Sequence, residues 1–217
     1  MCRVGSVAKL LSNLPFAALL VYSPRGQTPA SVRSRDVCYR IKQGDPTTLS
    51  LATDRTVESQ STIFRDFLGP SVTLVPAPRS APLHRPDAFW PGRIICEAFI
   101  ARGLGKEILA CVQRTVALPK SAAAAPGQRP DVELHLASME LHRQLIWPAQ
   151  VTIVDDVVTR GATLLAAASL IADAAPTTTV RAFALVRTKG LVPEVDKTLD
   201  PTTGSITYVS GFLDRQP

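Results

Sequence analysis

The segment from Val151 to Leu164 reads Val-Thr-Ile-Val-Asp-Asp-Val-Val-Thr-Arg-Gly-Ala-Thr-Leu, and it constrains the fold more than any other part of the chain. A short β-branched apolar run, Val151 to Val154, suits a parallel strand covered on both faces, and the adjacent acids Asp155 and Asp156 mark where it reaches solvent. Thr159, Arg160, Gly161, Ala162 and Thr163 then form a turn into Leu164 to Ala174, a stretch of Leu, Ala and Ile with high helix propensity. The first amides of such a helix have no intrahelical partner, so the turn offers N–H groups to an anion, a phosphate above all. Two neighbouring carboxylates accept hydrogen bonds from vicinal hydroxyls. Acids and turn together describe a site for a phosphorylated ribose.

The pattern around this unit predicts an α/β fold. From Ser71 onward, strands are expected at Val72 to Val75, Ile108 to Val112, Val151 to Val154 and Val180 to Val186, with helices at Ile94 to Arg102 and Leu164 to Ala174. Alternation of this kind implies a parallel sheet with helices on both faces, and ligands then sit outside the carboxyl ends of the strands. The loops after Val75, Val112 and Val154 are therefore expected on one rim. The remainder divides the chain into an N-terminal appendage or hood, residues 1–69, and a main domain, residues 70–217. The appendage holds one apolar strand, Ala17 to Tyr22, a polar stretch with Arg25, Arg33, Arg35, Arg40 and Lys42, and Ile63, Phe64, Phe67 and Leu68 at the spacing of a short amphipathic helix. The tail has one late strand candidate, Ile206 to Ser210.

Asp155-Asp156-Val-Val-Thr159-Arg160-Gly161-Ala162-Thr163 resembles the phosphoribosyl-pyrophosphate (PRPP) signature of type I phosphoribosyltransferases. The resemblance implies a parallel-sheet type I phosphoribosyltransferase core, with Asp155 and Asp156 on the ribose hydroxyls and Thr159 to Thr163 on the 5-phosphate. Arg160 stands where the family often has Thr or Ser, which removes one hydroxyl donor and leaves the backbone cradle. The Pro76-Ala77-Pro78-Arg79-Ser80 loop corresponds to the family's pyrophosphate loop, and the Arg79 guanidinium fork and Ser80 hydroxyl suit phosphate oxygens. Gln113 to Asp131 corresponds to the flexible loop that closes over the site in that family. Its Lys120 and Arg129, and less so Arg114, are candidates to meet the departing anion during catalysis. The Val-Pro-Ala-Pro opening is similar to the competence-protein-F-like branch, whose acceptor is often unassigned. The zinc-finger-like cysteines of those relatives are missing here, so a role in DNA uptake is unsupported.

The expected activity is transfer of the 5-phosphoribosyl group from PRPP, with Mg²⁺, to an unidentified nitrogenous base. The alternative is a catalytically silent PRPP-sensing regulator or nucleic-acid-binding module. A net charge of +6 suits an anionic ligand, but the basic residues are scattered, so nucleic acid stays an open partner. A homodimer is compatible with the chain. Cys2, Cys38, Cys96 and Cys111 lack the paired short spacing of a zinc site and read as thiols of a reducing compartment, and no protein-borne metal site is expected. Phe16 to Tyr22 is too short to span a membrane and no convincing signal-cleavage site follows, which predicts a cytoplasmic protein with no membrane partner. His84, His135 and His142 read as surface residues, with His135 and His142 on one helix over Val132 to Leu145. Trp90 reads as a packing residue or a platform for a planar base.

Overall fold

A computed structural model of the chain describes residues 8–83, 85, 87–118, 130–190 and 194–217. It opens with strand β1 (Asn13–Tyr22) and two consecutive helices, α1 (Pro29–Gln43) and α2 (Pro46–Gln60). Each helix begins with a side-chain cap followed by proline. Thr28 accepts the Ser31 N–H ahead of Pro29, and Asp45 accepts the Thr48 N–H ahead of Pro46. Gly44, at φ 72°, closes α1 in the left-handed conformation and turns the chain directly into α2. Next come β2 (Thr73–Pro76), α3 (Pro91–Ile100), β3 (Glu107–Ile108), β4 (Val112–Arg114), α4 (Val132–Ala137) and β5 (Met139–Leu141). The chain ends with β6 (Gln150–Val158), α5 (Ala162–Ala174), β7 (Thr179–Thr188), β8 (Leu199–Val209) and β9 (Phe212–Gln216).

The expected α/β architecture is present as a mostly parallel seven-stranded sheet, in the order β3-β2-β6-β7-β1-β8-β9, flanked by helices. Strands β3, β2, β6, β7 and β1 run parallel; β8 and β9 extend the sheet antiparallel. Because side chains alternate along a strand, each central strand feeds two cores. Phe16, Ala18, Ile153, Ala182 and Ala184 pack with Leu164, Leu165 and Ile171 of α5. Ala17, Leu19, Val154, Phe183 and Leu185 pack on the other face with Ile41 of α1, Leu49 of α2 and Phe99 of α3. The Phe183 ring sits at the centre of that second core, meeting Phe64 edge-on at 5.1 Å and Phe99 at 5.4 Å between centroids.

Several local expectations are corrected. Residues 8–69 are not an appendage: β1 is hydrogen-bonded between β7 and β8, and α1 and α2 cover one face of the same sheet. Ile63 to Leu68 form turns, not a helix, with Phe64 and Leu68 fully buried beneath them. The single strand expected at Ile108 to Val112 is split. β3 forms the sheet edge, while β4 pairs with β5 in a separate two-stranded ribbon. The helix expected over Val132 to Leu145 stops at Ala137, so His135 and His142 do not share a helix face. No helix among the described residues is long and apolar enough to cross a membrane.

Candidate anion-binding rim

Register explains why a cleft opens beside the acids. Strand β2 ends at Pro76, paired with Val154, and the Ala77 N–H makes a last bond to Val154 O at 2.8 Å. Strand β6 continues, with Asp155 opposite Ala184 and Val157 opposite Val186 of β7. The acids therefore lie within the strand rather than after it, on a stretch with a neighbour on one side only. The gap left by β2 becomes a cavity of about 480 Å³. Asp155 and Asp156 line it together with Thr159 and Thr163 of the following loop, and Pro78, Arg79 and Ser80 of the loop after β2 line it too. The sequence-predicted residues of two separate loops thus meet in one space, of a size that holds a small phosphorylated ligand. A recess of about 40 Å³ adjoins it, lined by Asp155, His135 and Thr159 to Leu164, including Arg160, Gly161 and Ala162.

Helix ends at this rim differ from those elsewhere. Helices α1, α2 and α4 each start with a capping side chain, from Thr28, Asp45 and Asp131. Helices α3 and α5, whose first residues line the two spaces, start without one. Their leading amides remain unclaimed by side chains and carry the positive end of the helix dipole towards the rim. Gly161 precedes α5 with φ 91°, a conformation that costs other residues energy.

The electrostatics set acids against bases at close quarters. Burial, and then the neighbouring Asp156 charge, push the Asp155 carboxyl well above the usual carboxylate range, while Lys42 pulls it back down. Asp155 Oδ1 accepts the Asp156 N–H at 2.9 Å. Neither acid forms an ion pair among the described residues. The pair is thus available to hydroxyls or to a cation. No cluster of three or more His, Cys, Asp or Glu suited to a metal occurs among the described residues.

Arg114 has a different position from the one expected. It is buried at 5% exposure, its Nε donates to Arg79 O at 2.9 Å, and its other nitrogens meet Ser138 Oγ, His135 O and His135 Nδ1. Its guanidinium therefore ties the Arg79 loop to His135 and Ser138, while Arg114 still lines the cavity. Burial lowers its pKa to about 10, which leaves it cationic at neutral pH, helped by Asp155. His135 is buried rather than on the surface, and burial and then Arg114 push it down to about 4, so it is neutral. Trp90 is also buried, with Nε1 donating to Ala77 O at 2.7 Å, and it lines the cavity together with Phe89, which is 45% exposed. Lys120 and Arg129 lie outside the described residues, as does His84.

Lys42, Gln43, Phe89 and His135 also line the site, and the sequence reading did not select them for it. A basic last turn, Arg40 and Lys42 before Gly44, was the available signal for Lys42, and it is meaningful only once α1 is known to end at this rim. Fold and rim define an α/β protein with a strand-end cleft lined by two acids, by Arg79 and by the first residues of helices that lack a side-chain cap. Neither a family model nor a curated protein matches this chain.

Proposed function

We propose that this protein binds PRPP with Mg²⁺ and transfers its 5-phosphoribosyl group to a nitrogenous acceptor with release of pyrophosphate, on a core of the type I phosphoribosyltransferase kind. The observation that carries this reading is the joint lining of one cavity by Asp155 and Asp156, by Thr159 and Thr163 at the uncapped start of α5, and by Pro78-Arg79-Ser80, with Arg160, Gly161 and Ala162 lining the adjoining recess. Three ligand chemistries, a diol, a phosphate monoester and a pyrophosphate, match these three groups in turn. Asp155 and Asp156 accept from the ribose hydroxyls; the α5 amides and the Thr159 and Thr163 hydroxyls hold the 5-phosphate. Arg79, whose guanidinium is free of ion pairs and hydrogen bonds among the described residues, holds the pyrophosphate.

In this mechanism the bond from C1 of the ribose to the pyrophosphate oxygen breaks and the electron pair leaves with that oxygen. The acceptor nitrogen forms the new bond at C1 and gives up its proton, which the departing pyrophosphate takes up. The residues act by positioning and by stabilising developing charge. Mg²⁺, when bound to the substrate, neutralises charge on the leaving group. Lys120 and Arg129, which lie outside the described residues, are assigned to the same anion.

Calorimetry with PRPP and Mg²⁺ checks the site: the double variant Asp155→Asn/Asp156→Asn is expected to lose at least about tenfold in affinity, and equal affinity would refute the assignment. Pyrophosphate release across purine, pyrimidine and nicotinate-like acceptors checks the reaction. Binding without release on any acceptor would favour the PRPP-sensing regulator.

A further inference from the structure

The C-terminal hairpin of β8 and β9 lies far from Thr159 in sequence, yet it touches the Thr159–Thr163 loop at two points. Arg215, on β9, donates from Nε to Thr159 O at 2.6 Å and from Nη2 to Thr188 O at 2.6 Å, while Nη1 reaches Pro217 O at 2.6 Å. Its guanidinium also lies over the Phe16 ring, 5.5 Å from the centroid. The second point is Gly161, where a side-chain Cβ would stand 2.5 Å from Ile206 Cδ1 of β8. All three Arg215 nitrogens are thus engaged by backbone carbonyls, and Arg215 forms no ion pair among the described residues. Burial lowers its pKa to about 10, so the side chain remains cationic at neutral pH.

A trans peptide points its C=O and the next N–H in opposite directions. Drawing Thr159 O towards β9 therefore turns the Arg160 N–H away from the hairpin. The same fork fixes the end of β7 at Thr188, so the loop is braced against a strand of the central sheet. We propose that Arg215 is a positioning residue that sets the Thr159–Arg160 peptide for a sugar 5-phosphate. The inference rests on the ribose-phosphate reading of the rim and adds to it a determinant from the far end of the chain. Among the described residues the Arg215 side chain bonds to Thr159, Thr188 and Pro217 and not to Pro78, Arg79 or Ser80, so its influence is confined to the phosphate-monoester end.

The test is calorimetry of ribose 5-phosphate and, separately, inorganic pyrophosphate, each with Mg²⁺, on the unaltered protein, Arg215→Met and Arg215→Lys. Arg215→Met is expected to bind ribose 5-phosphate about tenfold more weakly. Arg215→Lys keeps the charge but has a single nitrogen where Arg215 uses three, and is expected to lose about three- to tenfold. Pyrophosphate affinity should stay within about twofold in both. Undiminished affinity for ribose 5-phosphate in Arg215→Lys overturns the proposal, as does an equal loss for both ligands. If Arg215→Met fails to fold, the Lys variant decides alone. An unaltered protein that binds neither ligand defeats the ribose-phosphate reading itself, an outcome distinct from normal binding that the variants leave untouched.

Discussion

Asp155 sits where ligand chemistry and stability oppose each other. Its carboxyl is raised by burial and by Asp156, so the folded state binds its proton more tightly than the unfolded chain does. The sign follows from linkage. Stability from this group is fully present below the ordinary carboxylate range and is lost as pH rises through the raised value. Asp155→Asn removes that penalty and keeps an oxygen for the Asp156 N–H. The variant is therefore expected to melt ~2–5 °C higher at neutral pH, with the difference vanishing below about pH 4, while its affinity for ribose 5-phosphate falls. Thermal melts across pH, paired with calorimetry, check both halves; a lower melting point at neutral pH would contradict the account. His135 and Arg114 show the complementary arrangement, in which a neutral imidazole lets a cation remain buried against it.

Among the elements, the unit from β6 to α5 carries both the acids and the Thr159–Thr163 loop, and its geometry depends on elements distant in sequence. Gly161 combines a positive φ with a close approach to Ile206, so two separate penalties meet any side chain there. Gly161→Ala is expected to cost about 1–3 kcal/mol in denaturant unfolding and to weaken ribose 5-phosphate binding. Pairing it with Ile206→Val should recover part of the stability, because that change relieves the contact and leaves the backbone strain. No recovery would show that the contact is unimportant. Helix α1 depends on distant sequence in the same way: Glu194 accepts the N–H groups of Gln27 and Thr28 and the Ser31 hydroxyl, which holds its carboxyl down at about 2. The start of a helix near residue 28 is thus secured by an acid beyond β7.

For the whole molecule, the decisive fact is the place of β1 in the sheet. Its residues Phe16 to Val21 are almost wholly buried, and they give β7 one of its two neighbours and both cores part of their packing. A chain of residues 70–217 would expose the far edge of β7 and strip α1, α2 and β1 from the Phe183 core. It is expected to show no cooperative thermal transition and no fixed near-ultraviolet circular dichroism. A cooperative melt in that fragment would restore the division into appendage and domain.

The strand-acid-loop-helix unit was readable from residues because its determinants are local: β-branched residues, adjacent carboxylates, a glycine and a helix-forming run within Val151 to Ala174. The alternation of strands and helices from Ser71 onward was readable for the same reason, and it implied that loops after successive strands share a rim. Helices α1 and α2 carried local signals too, Thr28-Pro29 and Asp45-Pro46, but their low apolar content obscured them. Strand order is a different kind of information. Nothing within Asn13 to Tyr22 says that its partners are β7 and β8, because neighbours in a sheet are chosen by burial on both faces across the whole chain. The contacts that depend on that order were equally hidden: Lys42 near Asp155, Arg114 on Arg79 O, and Arg215 on Thr159 O join groups whose proximity exists only after the sheet has formed. Local chemistry named residues that line the cavity, and packing decided what holds them in place.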